Sequence, residues 1–267
     1  MKFSRTIIQQ LGLGVALAAA LCAAGQARDL DRIKQSGVLR VAIAMGVPMF
    51  SYANAQMQPE GSDVSTAELM AKDMGVKLQL VQITNAARVP TIQADKADVA
   101  IANLSITPER AKVIDFSIPY ASLQTIVVAP KSVNIKDYAD LKGVTIGVTR
   151  ATVNDSDISK NASFANIRRF EDDATLVTAA TSGQVPVVST QWPNVVEINK
   201  KLKNTPFETK FVEQEFMLGI AMSQGTPKLK SWTNKWIETN LKNGKLEAVY
   251  KKYHGTDLSP LVVNQKF

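Results

Sequence analysis

Cysteine and histidine are almost missing from this chain: its 267 residues hold one of each, Cys22 and His254. One Cys and one His cannot assemble a disulfide framework, a zinc site or a Cys/His catalytic pair from this chain alone. The familiar catalytic and nucleotide-binding signatures are also missing. There is no G-x-S-x-G elbow, S-x-x-K, H-E-x-x-H, P-loop or G-x-G-x-x-G, so hydrolase, metalloprotease and nucleotide-binding readings lose their usual support. No cofactor and no metal is implied. An enzyme working through carboxylates or hydroxyls falls outside this exclusion, but no motif points to one: the candidate acids are Asp155, Asp157 and Glu171 to Asp173.

What is present is an ordinary globular composition, 45% hydrophobic and 21% charged, with a formal charge of +7. That length and composition support a sizeable core and two compact lobes, and argue against disorder. The N-terminus is separate in character. Lys2 and Arg5 precede an uncharged Leu/Ala/Gly/Val run over 11–24, and Gly25-Gln26-Ala27 offers small residues for cleavage. The run is shorter than the ~20 apolar residues of a spanning helix, so residues 1–27 read as a cleaved secretory signal peptide. A lipoprotein signal at Cys22 is disfavoured by Leu21 before it. Removing 1–27 takes Lys2, Arg5 and Cys22 but no acid, so the formal charge falls to +5 and no thiol remains. Export and interspersed acids argue against nucleic-acid binding.

The remaining chain alternates strand and helix patterns. VLRVAIAM (38–45), KLQLVQI (77–83) and DVAIANL (98–104) read as strands, with a helix over 63–75 closed by Gly75 and another from Arg88. The pattern restarts with strand 144–148, a helix after Thr152, a short strand IRRF, a helix ending at Gly183, a strand VPVVST and a helix over 193–203. Two strands, FETKFV and FMLGIAM, and two helices over about 227–253 close the chain. Repeated β-α-β implies mainly parallel sheets in two α/β lobes, with ligands at the carboxyl ends of the strands.

The most informative stretch is ANLSITPERAKVIDFS, 102–117. A buried strand leads to Thr107 as helix N-cap, with Pro108 at N1 and Arg110 one turn in. Backbone N–H donors, the Arg110 fork, the Ser105 hydroxyl and the Asn103 amide then gather as an anion site. The alternative is a plain helix start with Arg110 paired to a surface acid.

TPERAKVIDFSIPY (107–120), with DVAIANLSI before it, closely resembles the signature segment of the extracellular solute-binding proteins of family 3, the polar amino acid-binding proteins of ABC importers. LRVAIAM, GSDVSTAELMAKDMGVKLQLV, ADLKGVTIGVTRATVND, the SGQV turn and NGKLEAVYKKYHG follow the family order over nearly the whole chain after residue 27. The resemblance implies a periplasmic binding protein type II fold: two α/β lobes joined by two crossover strands around a ligand cleft. Lobe 1 would be discontinuous, 28–122 plus 217–267, and lobe 2 would be 123–216, with crossovers near SLQTIVV and EQEFMLGI.

Carried over position by position, the resemblance places Arg110 on the ligand's α-carboxylate, with Ser105 and Asn103 assisting. Thr152 falls on a threonine whose main-chain N–H meets the same carboxylate, but the usual preceding Gly is Ala151, strained if that backbone needs positive φ. Arg150 either adds charge to the cleft or lies on the surface. The family's ammonium-binding Asp is replaced by Gln191 or Thr190, a neutral group, so either another acid such as Asp63 or Asp155 supplies the charge or the ligand is not an ordinary α-amino acid. Asp63 equally reads as a plain helix cap.

Phe50 or Tyr52 reads as an aromatic lid, with core packing the alternative for Phe50, and Trp192 as a ligand contact. Asn85 and Arg88 resemble positions at the strand-to-helix crossing beside the pocket; Arg88 is expected on a solvated helix face, the alternative being that it adds cationic character to the pocket. The function implied is capture of a small carboxylate-bearing ligand in the periplasm by a monomeric, non-enzymatic receptor that delivers it to an ABC permease. Two alternatives stay open: a same-fold periplasmic dehydratase resembling cyclohexadienyl dehydratase, acting on prephenate or arogenate, and a ligand sensor not coupled to transport.

Overall fold

A computed structural model describes residues 27–266. The cleavage region before Ala27, with Cys22, lies outside the described residues. In chain order the elements are α1 (Leu30–Ser36), β1 (Val38–Ala44), β2 (Tyr52–Ala53), β3 (Pro59–Glu60), α2 (Ser62–Met74), β4 (Lys77–Ile83), α3 (Arg88–Gln93), β5 (Val99–Ala100), α4 (Pro108–Ala111) and β6 (Asp115–Pro130). Then follow β7 (Thr145–Thr149), α5 (Val153–Asn161), β8 (Asn166–Phe170), α6 (Asp173–Thr181), β9 (Val187–Thr190), α7 (Trp192–Lys201), β10 (Phe207–Met222), α8 (Pro227–Lys242), α9 (Lys245–His254) and α10 (Pro260–Val263).

The local chemistry sets most boundaries. Thr107, Thr152 and Asp172 each accept a hydrogen bond from the backbone N–H three residues on, capping α4, α5 and α6. Gly75 ends α2 in the left-handed region at φ 75°. Gly61 is required before α2: a Cβ there would stand 2.2 Å from the Phe50 carbonyl oxygen, which no side chain could tolerate.

One eight-stranded sheet runs through the molecule in the order β4-β1-β5-β10-β6-β9-β7-β8. The β4-β1-β5 and β9-β7-β8 sets are each parallel, as alternating strands and helices require. The sheet as a whole is mixed, because β6 and β10 run antiparallel to each other and to β9 and β5 respectively. FETKFV and FMLGIAM, expected as two strands, are the two ends of the single 16-residue β10. DVAIANL is shorter than expected: ladder pairing stops after Ala100, and Asn103 takes a left-handed φ of 47°.

Apolar packing divides along β6 and β10. Phe116, Tyr120 and Ala121 join a cluster built from β1, α2, β5 and the last helices, with Leu218, Ile220 and Met222 of β10. Further along β6, Ile126 and Val128 face a cluster with α6 and α7, while Val127 and Ala129 face the other side of the sheet with Ile146 and Ile158. This in–out alternation is the period-two pattern of a strand covered on both faces. Between the clusters, Thr125 Oγ1 donates to the Gln214 carbonyl at 3.1 Å and accepts from the Gln214 N–H at 3.2 Å, next to an irregularity in the ladder.

Candidate functional site

Where the two halves of the sheet meet, fourteen residues line a cavity of about 20 Å³, room for about one water. Asn85, Arg88, Asn103, Ser105, Arg110 and Leu123 come from one side. Thr149, Thr152, Val153, Asn154, Asp173, Ser189, Thr190 and Gln191 come from the other. Only Leu123 and Val153 are apolar.

Arg110 leaves the short helix α4 and folds back, its Nη1 donating to the Ser105 carbonyl at 2.8 Å. Its Nη2 crosses to the opposite side and donates to the Ala151 carbonyl at 3.2 Å. Arg88, at the start of α3, is 3% exposed, so it does not lie on the solvated helix face expected of it. Its Nε donates to the Asn85 carbonyl at 2.9 Å, its Nη1 to the Ala102 and Asn103 carbonyls, and its Nη2 to the same Ala151 carbonyl at 3.2 Å. Burial explains the reversal: a charge removed from water must meet acceptors, and the turns after β4 and β5 present three carbonyls while Ala151, after β7, presents a fourth.

Ala151 has φ 58°, the positive value that would strain an alanine. Thr152 next to it donates to the Thr149 carbonyl at 2.7 Å and accepts from the Asp155 N–H, while Asp155 Oδ2 accepts from the Ala151 N–H at 3.3 Å. Gln191 Oε1 accepts from Asn103 Nδ2 at 3.1 Å, a third bond between the two sides. Asn154 Nδ2 bonds Ser189 Oγ, the Thr190 carbonyl and Glu213 Oε2. Asp173 is 5% exposed and accepts a hydrogen bond from the Thr149 hydroxyl.

Burial dominates the electrostatics. It lowers Arg88 to about 9, helped by the neighbouring Arg110 charge, and Arg110 to about 10, so both remain cationic at neutral pH. The same effect raises Asp173, opposed by its bond from Thr149. The arrangement is an enclosed, strongly polar chamber with donors converging from both sides, suited to gripping an anionic group. Among the described residues, no group of three or more His, Cys, Asp or Glu is placed to hold a metal ion.

Of the ten candidates from sequence, Arg110, Ser105, Asn103, Thr152 and Gln191 line this one cavity and five lie elsewhere. Phe50 is core, 2% exposed and edge-on to His254 at 4.6 Å. The Tyr52 hydroxyl donates to Glu60 at 3.2 Å, beside a surface groove. Asp63 is fully buried outside the cavity lining and accepts from the Tyr120 hydroxyl at 2.8 Å. Arg150 makes an exposed ion pair with Glu171, and Trp192, 57% exposed, lines an open groove with Phe50 and His254. Asp155 pairs with Arg169, so neither it nor Asp63 lines the cavity.

Sequence reasoning passed over Asn154 and Thr149, and treated Asp173 only as one acid of a run. The doubled Asp172-Asp173 was the available signal: one carboxylate caps α6, leaving its neighbour free to turn inward.

Residues 39–256 match the family model of the bacterial extracellular solute-binding proteins, family 3. The chain is 28% identical over 234 residues to the L-cystine-binding protein TcyJ of Escherichia coli (strain K12), covering 86% of this chain and 87% of that protein. It is 30% identical over 193 residues to the cyclohexadienyl dehydratase of Pseudomonas aeruginosa, covering 71% and 72%. Among solved structures, the solute receptor for L-cysteine of Neisseria gonorrhoeae superposes with a TM-score of 0.79 at 29% identity, covering 85% of this chain and 93% of that one. The architecture is the type II periplasmic-binding-protein fold.

Proposed function

The chain belongs to the bacterial extracellular solute-binding proteins, family 3, and on that premise we propose that it captures a small carboxylate-bearing compound in the periplasm, an amino acid or derivative, and delivers it to an ABC permease. The observation that carries this is the enclosed cavity in which Arg110 and Ser105 face Thr152. Arg110 has five N–H donors and spends two on backbone carbonyls, which leaves a pair free to grip the ligand carboxylate. The N-terminus of α5 behind Thr152 adds backbone donors from the other side.

The lobes are 28–122 with 217–267, and 123–216, a division supported by the change of apolar cluster along β6 and β10. Closure by bending of β6 and β10 excludes water and strengthens each polar contact. The receptor acts as a monomer, without catalysis, after removal of residues 1–27.

Calorimetric titration of the purified protein with a panel of amino acids and small carboxylates tests this reading, with mass spectrometry of denatured protein to reveal co-purified ligand. Arg110→Ala leaves a desolvated carboxylate unpaired, which costs about 2–5 kcal/mol, roughly 30-fold or more in affinity. Unchanged affinity would overturn the assignment of Arg110.

A dehydratase reading has one observation in its favour. Asp173 is a buried acid inside the cavity, its carboxyl pushed above the usual range by burial, and the dehydratase of P. aeruginosa is a relative. Incubation with prephenate and arogenate checks it: the receptor reading expects no product.

A further inference from the structure

The cavity carries more positive charge than a neutral amino acid can balance. Its charged lining residues are Arg88, Arg110 and Asp173, two cations against one acid. A zwitterionic amino acid adds one charge of each sign and leaves that surplus in place. Uncompensated charge held away from water costs several kcal/mol. Asp63 and Glu213 lie outside that lining, and burial raises each to about 7, so near neutral pH each carries part of a charge; Asp155 and Glu171 are engaged with Arg169 and Arg150.

Two orphaned groups show where further ligand atoms belong. Asn85 Nδ2 and Asn103 Oδ1 are buried without any hydrogen-bond partner, on residues 3% and 6% exposed that both line the cavity. Buried polar atoms without partners are rare, because each forfeits its hydration. Asn85 Nδ2 offers a donor next to Arg88, whose Nε already donates to the Asn85 carbonyl. Arg88 spends four of its five donors on carbonyls, so one N–H and the full charge remain for a ligand. Asn103 Oδ1 offers an acceptor.

We infer that the ligand is a small compound with net negative charge carrying two acidic groups, such as an acidic amino acid, and that Arg88 and Asn85 read the second group. This inference rests on the receptor function proposed above and gives its substrate class. One acidic group meets Arg110, Ser105 and Thr152, and the other meets Arg88 and Asn85. A ligand donor such as an ammonium meets Asn103 Oδ1 and Asp173. The Arg88 and Arg110 Nη2 atoms share the Ala151 carbonyl at 3.2 Å each, so they lie no further apart than those two bonds combined. That spacing fits acidic groups joined by a chain of a few carbons once the two sides part, since the cavity closed by these bonds has room for about one water. With Leu123 and Val153 as the only apolar lining, an apolar side chain has no complementary surface here.

The test is calorimetric titration with L-glutamate and L-aspartate against L-glutamine and L-asparagine, which keep the shape and remove one charge. The acid should bind at least tenfold more tightly than its own amide. Asp173→Asn, which deletes the one balancing acid, should widen that ratio, and Arg88→Met should narrow it toward one. Arg88→Met removes four backbone bonds and can misfold, so the wild-type ratio and Asp173→Asn decide the matter without it. Amides binding as tightly as acids would overturn the inference while leaving the receptor reading intact, provided that binding still requires Arg110. If none of the carboxylates tested, charged or neutral, binds, both readings fall together.

Discussion

Arg110 and Ala151, on opposite sides of the cavity, are joined directly: Arg110 Nη2 donates to the Ala151 carbonyl at 3.2 Å, and Arg88 donates to the same oxygen at the same distance. The left-handed backbone of Ala151 accompanies this placement of its carbonyl. That conformation costs an L-residue about 1–2 kcal/mol, and glycine would adopt it freely. Ala151→Gly therefore relieves strain while adding about 0.5–1 kcal/mol of unfolded-state entropy. The net expectation is unchanged or slightly raised stability in urea denaturation. A loss of about 1 kcal/mol, the usual result of Ala→Gly in a helix, would show that φ at this position is not positive in solution.

Asp63 sits fully buried with only its Oδ1 paired, to the Tyr120 hydroxyl. Desolvation raises its carboxyl from 3.8 to about 7, so between these values the folded protein holds a proton that the unfolded chain has released. Stability therefore falls as pH rises from about 4 to 7, by at most about 4 kcal/mol from this group. Asp63→Asn keeps an acceptor for Tyr120 and removes the titration. Its denaturation midpoint should exceed that of the wild type at pH 8, and the advantage should vanish near pH 4.

Gln191 now bonds Asn103 across the cavity. Gln191→Asp would place a carboxylate there and cancel the surplus positive charge. Neutral amino acids should gain affinity relative to acidic ones, read as a ratio of dissociation constants. A ratio that does not move would mean that charge balance in this cavity does not set selectivity.

Phe50 and Trp192 both line the open groove but differ in burial, at 2% and 57% exposed. Phe50→Ala empties a packed site and should cost about 3–5 kcal/mol of stability. Trp192→Ala should change stability by no more than about 0.5 kcal/mol and ligand affinity by less than about threefold. A large loss of affinity in Trp192→Ala would place the ligand partly in the groove.

That Arg110, Ser105 and Thr152 meet in one cavity was legible because the parts on each side are close in sequence. Thr107, Pro108 and Arg110 announce a capped helix start in four residues, and Thr152 with Asp155 announces another. Arg88 was misread because its burial depends on carbonyls of residues 102, 103 and 151, which no helical pattern around it reveals. Trp192 adjoins Gln191 but does not line the cavity: at the first turn of α7 it lines the open groove, which shares Leu123 and Gln191 with the cavity.

The alternation of apolar runs, the caps and the glycines of this sequence by themselves determine the strands, the helices and their α/β order, since these depend on neighbours within a few residues. Family membership and the place of Arg110 were readable at that level too. Only the tertiary structure decided which charges share the cavity, because a group's solvation is set by whatever packs against it from distant parts of the chain. It moved Asp63 out of the cavity, Asp173 and Arg88 into it, and so made the surplus positive charge visible.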